Sequence, residues 1–101
     1  MTEISKIMTI STANVSPETR EMLDEIVKNY ADGRDPEPDL LVIAKLGYGW
    51  FVFADIEPPE LTPEDLAMCM NAARQNGCEW LCLDRDGEVL EGLPAYWDDH
   101  L

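Results

Sequence analysis

Basic residues are scarce in this chain. Lys and Arg together number seven, against 21 Asp and Glu, and the one histidine, His100, stands next to last. The formal net charge is −14. Direct nucleic-acid binding runs through phosphates and needs clustered Lys and Arg, so that class of function is excluded. An anionic membrane surface would repel the chain as well. Long hydrophobic runs are also lacking, and none approaches the ~20 residues that cross a bilayer. The opening stretch, MTEISKIMTISTANV, alternates polar and apolar residues, without the basic start and apolar core of a signal peptide. Cysteine is sparse and odd in number (Cys69, Cys78 and Cys82), which suits a reducing compartment better than a disulfide framework. The expectation is a cytoplasmic protein.

Catalytic patterns are missing too. There is no Ser-His-Asp or Cys-His arrangement and no glycine-rich nucleotide loop, and a penultimate histidine is a poor general base. Paired carboxylates abound, but among 21 acids their proximity carries no information. Three cysteines and His100 could be assembled into a zinc site, yet Cys78-x3-Cys82 lacks the second ligand pair of a structural zinc site. Cys69 falls on an apolar helical stripe and Cys82 among Trp80, Leu81 and Leu83, where cysteine serves as a small core hydrophobe. Asp84, Asp86, Gly87 and Glu88 miss the third early ligand and the distant glutamate of a calcium loop. No catalytic, cofactor or metal residue is assigned, and the expectation is not an enzyme.

What is present is strong local patterning, with 46% hydrophobic residues. ISKIMTI (4–10) alternates as a strand. Ser16 is a good N-cap, Pro17 suits the first helical position and Glu18 the positive helix end. Met22, Leu23, Ile26, Val27 and Tyr30 then recur at helical spacing, predicting a helix over 17–31 stopped by Gly33. DGRDPEPD (32–39) reads as an acidic loop. LLVIAKL and WFVFADI read as strands joined through Gly47-Tyr48-Gly49. A phosphate loop leads from a strand into a helix, whereas this one leads into strand material, so the glycines are read as turn residues. Thr62 as cap, Pro63 and Asp65 open a second helix over 63–76, closed by Gly77. EWLCLDRDGEVL reads as a hairpin turning at Asp86-Gly87, with Glu88–Leu90 returning as a strand. The tail from Pro94 to Leu101 is expected to lie over the sheet edge before fraying.

These elements assemble into one α+β domain over 1–101, in the order β-α-β-β-α-β-β. Short hairpins predict a fully antiparallel sheet with two helices on one face, a two-layer architecture. Strict alternation puts Leu41, Ile43, Phe51 and Phe53 on one face of the central strands, and Val42, Ala44, Trp50 and Val52 on the other. Two helices cover only one face. The other calls for a partner chain, such as a homodimer, or for the aromatic tail.

ISTANVSPET, GYGWFVF, NGCEWLCLDRDG and LPAYW together resemble a family of small acidic bacterial domains of unassigned function, typically encoded on plasmids, phages and integrative elements. The resemblance covers most of the chain, through caps, turns and core aromatics. It implies a bacterial cytoplasmic accessory protein of a mobile element, with a role such as countering host defences, and brings no catalytic residue.

The charge then has two readings. As solvated surface, it confers solubility, with Lys28 placed to pair with Asp24. As a binding surface, Glu18, Glu21, Asp24 and Glu25 form an acidic arc that docks a basic protein partner, with Tyr96 and Trp97 as an aromatic anchor. Fourteen charges match roughly 24 Å of duplex DNA, about one domain width. The functional expectation is therefore a non-enzymatic acidic protein-binding module that occupies the basic site of a host defence or nucleic-acid-handling protein. The alternative is a dimeric structural or regulatory domain with no nucleic-acid mimicry.

Overall fold

The computed structural model describes residues 4–33, 40 and 49–96 in full, and 42–46 by their backbone. Its elements are β1 (Ile7–Ser11), a 3-10 turn (Thr12–Asn14), α1 (Pro17–Ala31), β2 (Val42–Leu46), β3 (Gly49–Phe53), α2 (Glu64–Gln75) and β4 (Trp80–Asp84). The first helix has the predicted bounds because its signals are local. The Ser16 side chain accepts the Thr19 N–H, and Pro17 occupies a first-turn position where no N–H is needed. Gly33 and Gly77 follow the two helices at φ of 78° and 74°, the left-handed conformation that glycine adopts without strain.

The sheet differs from the expected one. Its order is β1-β4-β3-β2, with β1 parallel to β4 and the other pairs antiparallel. β2 therefore runs parallel to β1 at the far edge, and the crossover through α1 spans two positions. The later β3 and β4 fill them. Residues 88–90 form no strand. The Asp84–Gly87 turn is present, closed by the Gly87 N–H on the Asp84 carbonyl at 2.9 Å. Beyond it the chain crosses the end of β1, where Glu88 accepts the Ser11 N–H at 2.9 Å. Leu90 continues to Asn14, donating its N–H to the side-chain oxygen at 2.8 Å, while the Asn14 amide bonds the Pro94 carbonyl at 2.9 Å. Asn14 is fully buried, so these bonds to an otherwise stranded amide outweigh a further ladder.

Register decides which residues meet. Ile10, Leu83 and Trp50 stand in one row, and Met8, Leu81 and Val52 in the next. All six join a core with Leu23 and Ile26 of α1 and with Leu66, Cys69, Met70 and Ala73 of α2. Both helices thus cover the same sheet face, as expected. Ile7, Trp80 and Phe53 form a row on the other face, and Thr9, Cys82 and Phe51 another. Phe53 and Trp80 meet edge to face with centroids 4.9 Å apart, an arrangement that suits aromatic quadrupoles. A register shift between Val42 and Ala44 places Ala44 opposite Phe51 and Lys45 opposite Trp50, so strict alternation misassigned Ala44.

Gly49 is a strand residue, not a turn residue. It stands opposite Asp84, and a Cβ there would collide with the Leu83 carbonyl of β4. Gly47 and Tyr48 lie outside the described residues, as do 34–39 of the acidic loop. Gly49→Ala is expected to cost roughly 3 kcal/mol, because the obstacle is backbone in the middle of the sheet. Urea unfolding of the variant measures this; a loss below about 1 kcal/mol would show that β3 and β4 separate easily.

Candidate protein-binding surface

The surface built on α1 begins with a buried acid on the other helix. Thr62 does not cap α2: the helix has no side-chain cap, and the Thr62 hydroxyl is buried without a partner. Asp65, 8% exposed, points to α1 instead. Its carboxylate accepts the Ser16 N–H at 2.7 Å, the Thr19 hydroxyl at 2.9 Å and the Leu66 N–H at 2.8 Å. One carboxylate therefore sits at the positive ends of two helices. This fixes where α1 starts, and hence which arc it presents to solvent.

On that arc Glu18, Glu21, Asp24 and Glu25 are all exposed. Positions 18, 21 and 25 follow i, i+3, i+7 and make one stripe. Among the described residues none of these three glutamates has a cation within ion-pair distance. Asp24 is engaged: it accepts the Trp50 indole N–H at 3.2 Å, tying the helix to β3. The expected Lys28–Asp24 ion pair does not form. Arg20, half-buried among the acids, directs its guanidinium to the backbone, with Nε 3.1 Å from the Val15 carbonyl and Nη2 3.2 Å from that of Tyr96.

That last bond sets the tail. Tyr96 donates its N–H to Ala13 at 2.6 Å and gives its carbonyl to Arg20, so the chain up to Tyr96 is tied to the 3-10 turn and α1, not laid over the sheet edge. Tyr96 is thereby brought beside the helix that carries the acidic stripe. Trp97 and the remaining tail residues lie outside the described residues. The features missed by sequence reasoning are Asp65 as a cap for another helix, Asn14 as an anchor and Arg20 as a tail clasp. Local patterns carry no signal for any of them beyond a polar residue in an apolar context.

Two of the cysteines cannot meet at one metal, since Cys69 sits in the helix-side core while Cys82 lies on the opposite sheet face. Among the described residues no three His, Cys, Asp or Glu side chains converge as metal ligands, and no helix is long and apolar enough to cross a membrane. In the acidic turn, the Asp84 side chain accepts the Asp86 N–H at 3.0 Å, a turn contact.

Residues 7–98 match the C-terminal domain of a family of unknown function, DUF5983. The chain belongs to this family. Membership extends over both helices and all four strands just described. No curated protein and no solved structure matches the chain.

Two outcomes test the site's scaffold. Asp65→Ala should cost about 3 kcal/mol in urea unfolding, because it strands the Ser16 and Thr19 donors, whereas Thr62→Val should be neutral or stabilising. Equal losses would restore Thr62 as the cap. The Cys69 thiol is pushed up to about 12 by burial and, secondarily, by the Asp65 charge; burial, then Asp84, also raises Cys82. The folded Cys69 value lies above its ordinary 9.0, so its contribution to stability is complete below about pH 9 and fades as the pH climbs toward 12. Iodoacetamide followed by peptide mass spectrometry at pH 8 should label half-buried Cys78 first and Cys69 only as fast as the domain unfolds.

Proposed function

We propose that this chain is a non-enzymatic protein-binding module whose α1 stripe of Glu18, Glu21 and Glu25 docks into a basic site on a protein partner. One observation carries the reading. Arg20, on the same helix, bonds the Val15 and Tyr96 carbonyls, and the three glutamates keep no cation among the described residues. Carboxylates held in this way on a helix anchored by Asp65 are preorganised for a cationic surface. Tyr96 beside the helix supplies a partly apolar contact at the margin, with Trp97 next in sequence. The resemblance to domains of mobile elements favours a cytoplasmic target among host defence or nucleic-acid-handling proteins, where the charge stands in for DNA.

A pull-down from a bacterial host, followed by affinity measurement against salt, tests this. Capture should weaken at least tenfold between low and high ionic strength, and Glu18→Lys, Glu21→Lys and Glu25→Lys combined should abolish it with the fold intact. An affinity indifferent to salt would overturn the reading.

A second reading, a homodimer, is favoured by the sheet face away from the helices. Phe51, Phe53 and Trp80 are only half-buried there, and Ile7 is 47% exposed. Sedimentation at micromolar concentration separates the two readings: a strict monomer removes the dimer.

A further inference from the structure

The free edge of the sheet at β1 has the geometry of a strand-pairing site. β1 is an end strand, and among the described residues β4 is the one strand it pairs with. The Lys6 carbonyl faces β4, where it accepts the Trp80 N–H at 3.1 Å, while the Ser11 N–H faces the other way, to Glu88. Parallel pairing alternates with a period of two, so Ile7 and Thr9 direct both N–H and C=O away from β4. No partner among the described residues takes these groups. End strands are ordinarily protected by inward charges, proline or a bulge. IMTIS carries none of these, and Ile4 and Ile7 beside the edge are 85% and 47% exposed.

Beyond the Asp84–Gly87 turn the chain builds the far wall. Met8, Thr9 and Ile10 face Glu88, Val89, Leu90 and Glu91 across an open groove of about 410 Å³. Among the described residues its lining includes Glu88 and Glu91 and no Lys or Arg. We infer that this groove receives an extended, Lys- or Arg-bearing segment of a partner protein, which adds to the sheet as a strand beside β1. Backbone bonds to Ile7 and Thr9 supply the pairing, and Glu88 and Glu91 select positive side chains. Charge argues against a second copy as the occupant: antiparallel pairing about Thr9 would bring two sets of Glu88 and Glu91 to one dyad, each chain carrying a net −14. The inference rests on the proposed function only in taking the partner to be a protein; it uses none of the α1 stripe.

The test uses the whole chain, ¹⁵N-labelled, with the peptide Lys-Val-Lys-Val-Lys-Val as probe and Glu-Val-Glu-Val-Glu-Val as control. The basic peptide should slow amide exchange at Ile7 and Thr9 at least tenfold and shift their resonances, and the acidic one should do neither. Thr9→Pro, which removes the outward N–H, should weaken basic-peptide binding at least tenfold, and Glu88→Lys with Glu91→Lys should remove the preference for the basic peptide. Exchange is also read on the unaltered chain, so the inference is decided even if the proline variant fails to fold. Unchanged exchange at Ile7 and Thr9 would overturn it, as would protection that grows with protein concentration without peptide, which would make a second copy the occupant. Binding that persists in the Glu18, Glu21 and Glu25 reversal variant would support the edge alone. Salt-sensitive capture through α1 without any edge protection would retain the proposed function and remove this inference.

Discussion

The Asp65 carboxylate is the point on which the arrangement of the helices turns. Two helix N-termini, each with unsatisfied N–H groups and a partial positive charge, meet around it. It takes donors from Ser16 and Thr19 of one helix and from Leu66 of its own. Burying an ionisable group without such donors would cost several kcal/mol, whereas with them the same burial fixes how α1 and α2 start relative to one another. Leu23, Ile26, Leu66 and Met70 then close over one sheet face. The core supplies most of the driving force, and the carboxylate supplies the geometry.

Asn14 does for the C-terminal segment what Asp65 does for the helices. Its buried amide both accepts from Leu90 and donates to Pro94, so a stretch patterned like a strand is held as an irregular strap. Tyr96, the last described residue of the strap, gives its carbonyl to the Arg20 guanidinium. On the same helix Arg20 bonds the Val15 and Tyr96 carbonyls, while Glu18, Glu21 and Glu25 are exposed. Along β1 the same strap bonds Ser11 through Glu88 and lines a groove with Met8, Thr9 and Ile10.

The family to which the chain belongs carries no assigned activity, and a function has to be argued from surfaces. Three features of different physical kinds stand out: a rigid acidic stripe, a half-buried aromatic sheet face and an undefended strand edge. All three suit contact with another macromolecule.

Sequence by itself determined what depends on residues within a turn or two of one another. Ser16, Pro17 and the Leu23–Ile26 stripe set α1 to its bounds, alternation marked β1, and β-prone runs bounded by turn residues marked β3 and β4, each within a few residues. Tertiary structure alone decided what depends on residues far apart in the chain. Asp65 meets Thr19 across 46 positions and Asn14 meets Leu90 across 76, pairings that local propensity does not encode. The same holds for the parallel insertion of β4 beside β1, which turned an expected hairpin strand into a strap, and for Gly49, whose missing side chain makes room for a strand arriving thirty-odd residues later. Capping, turn and alternation rules act through adjacent backbone, whereas the choice among partners for a buried polar group is made only when the whole core closes.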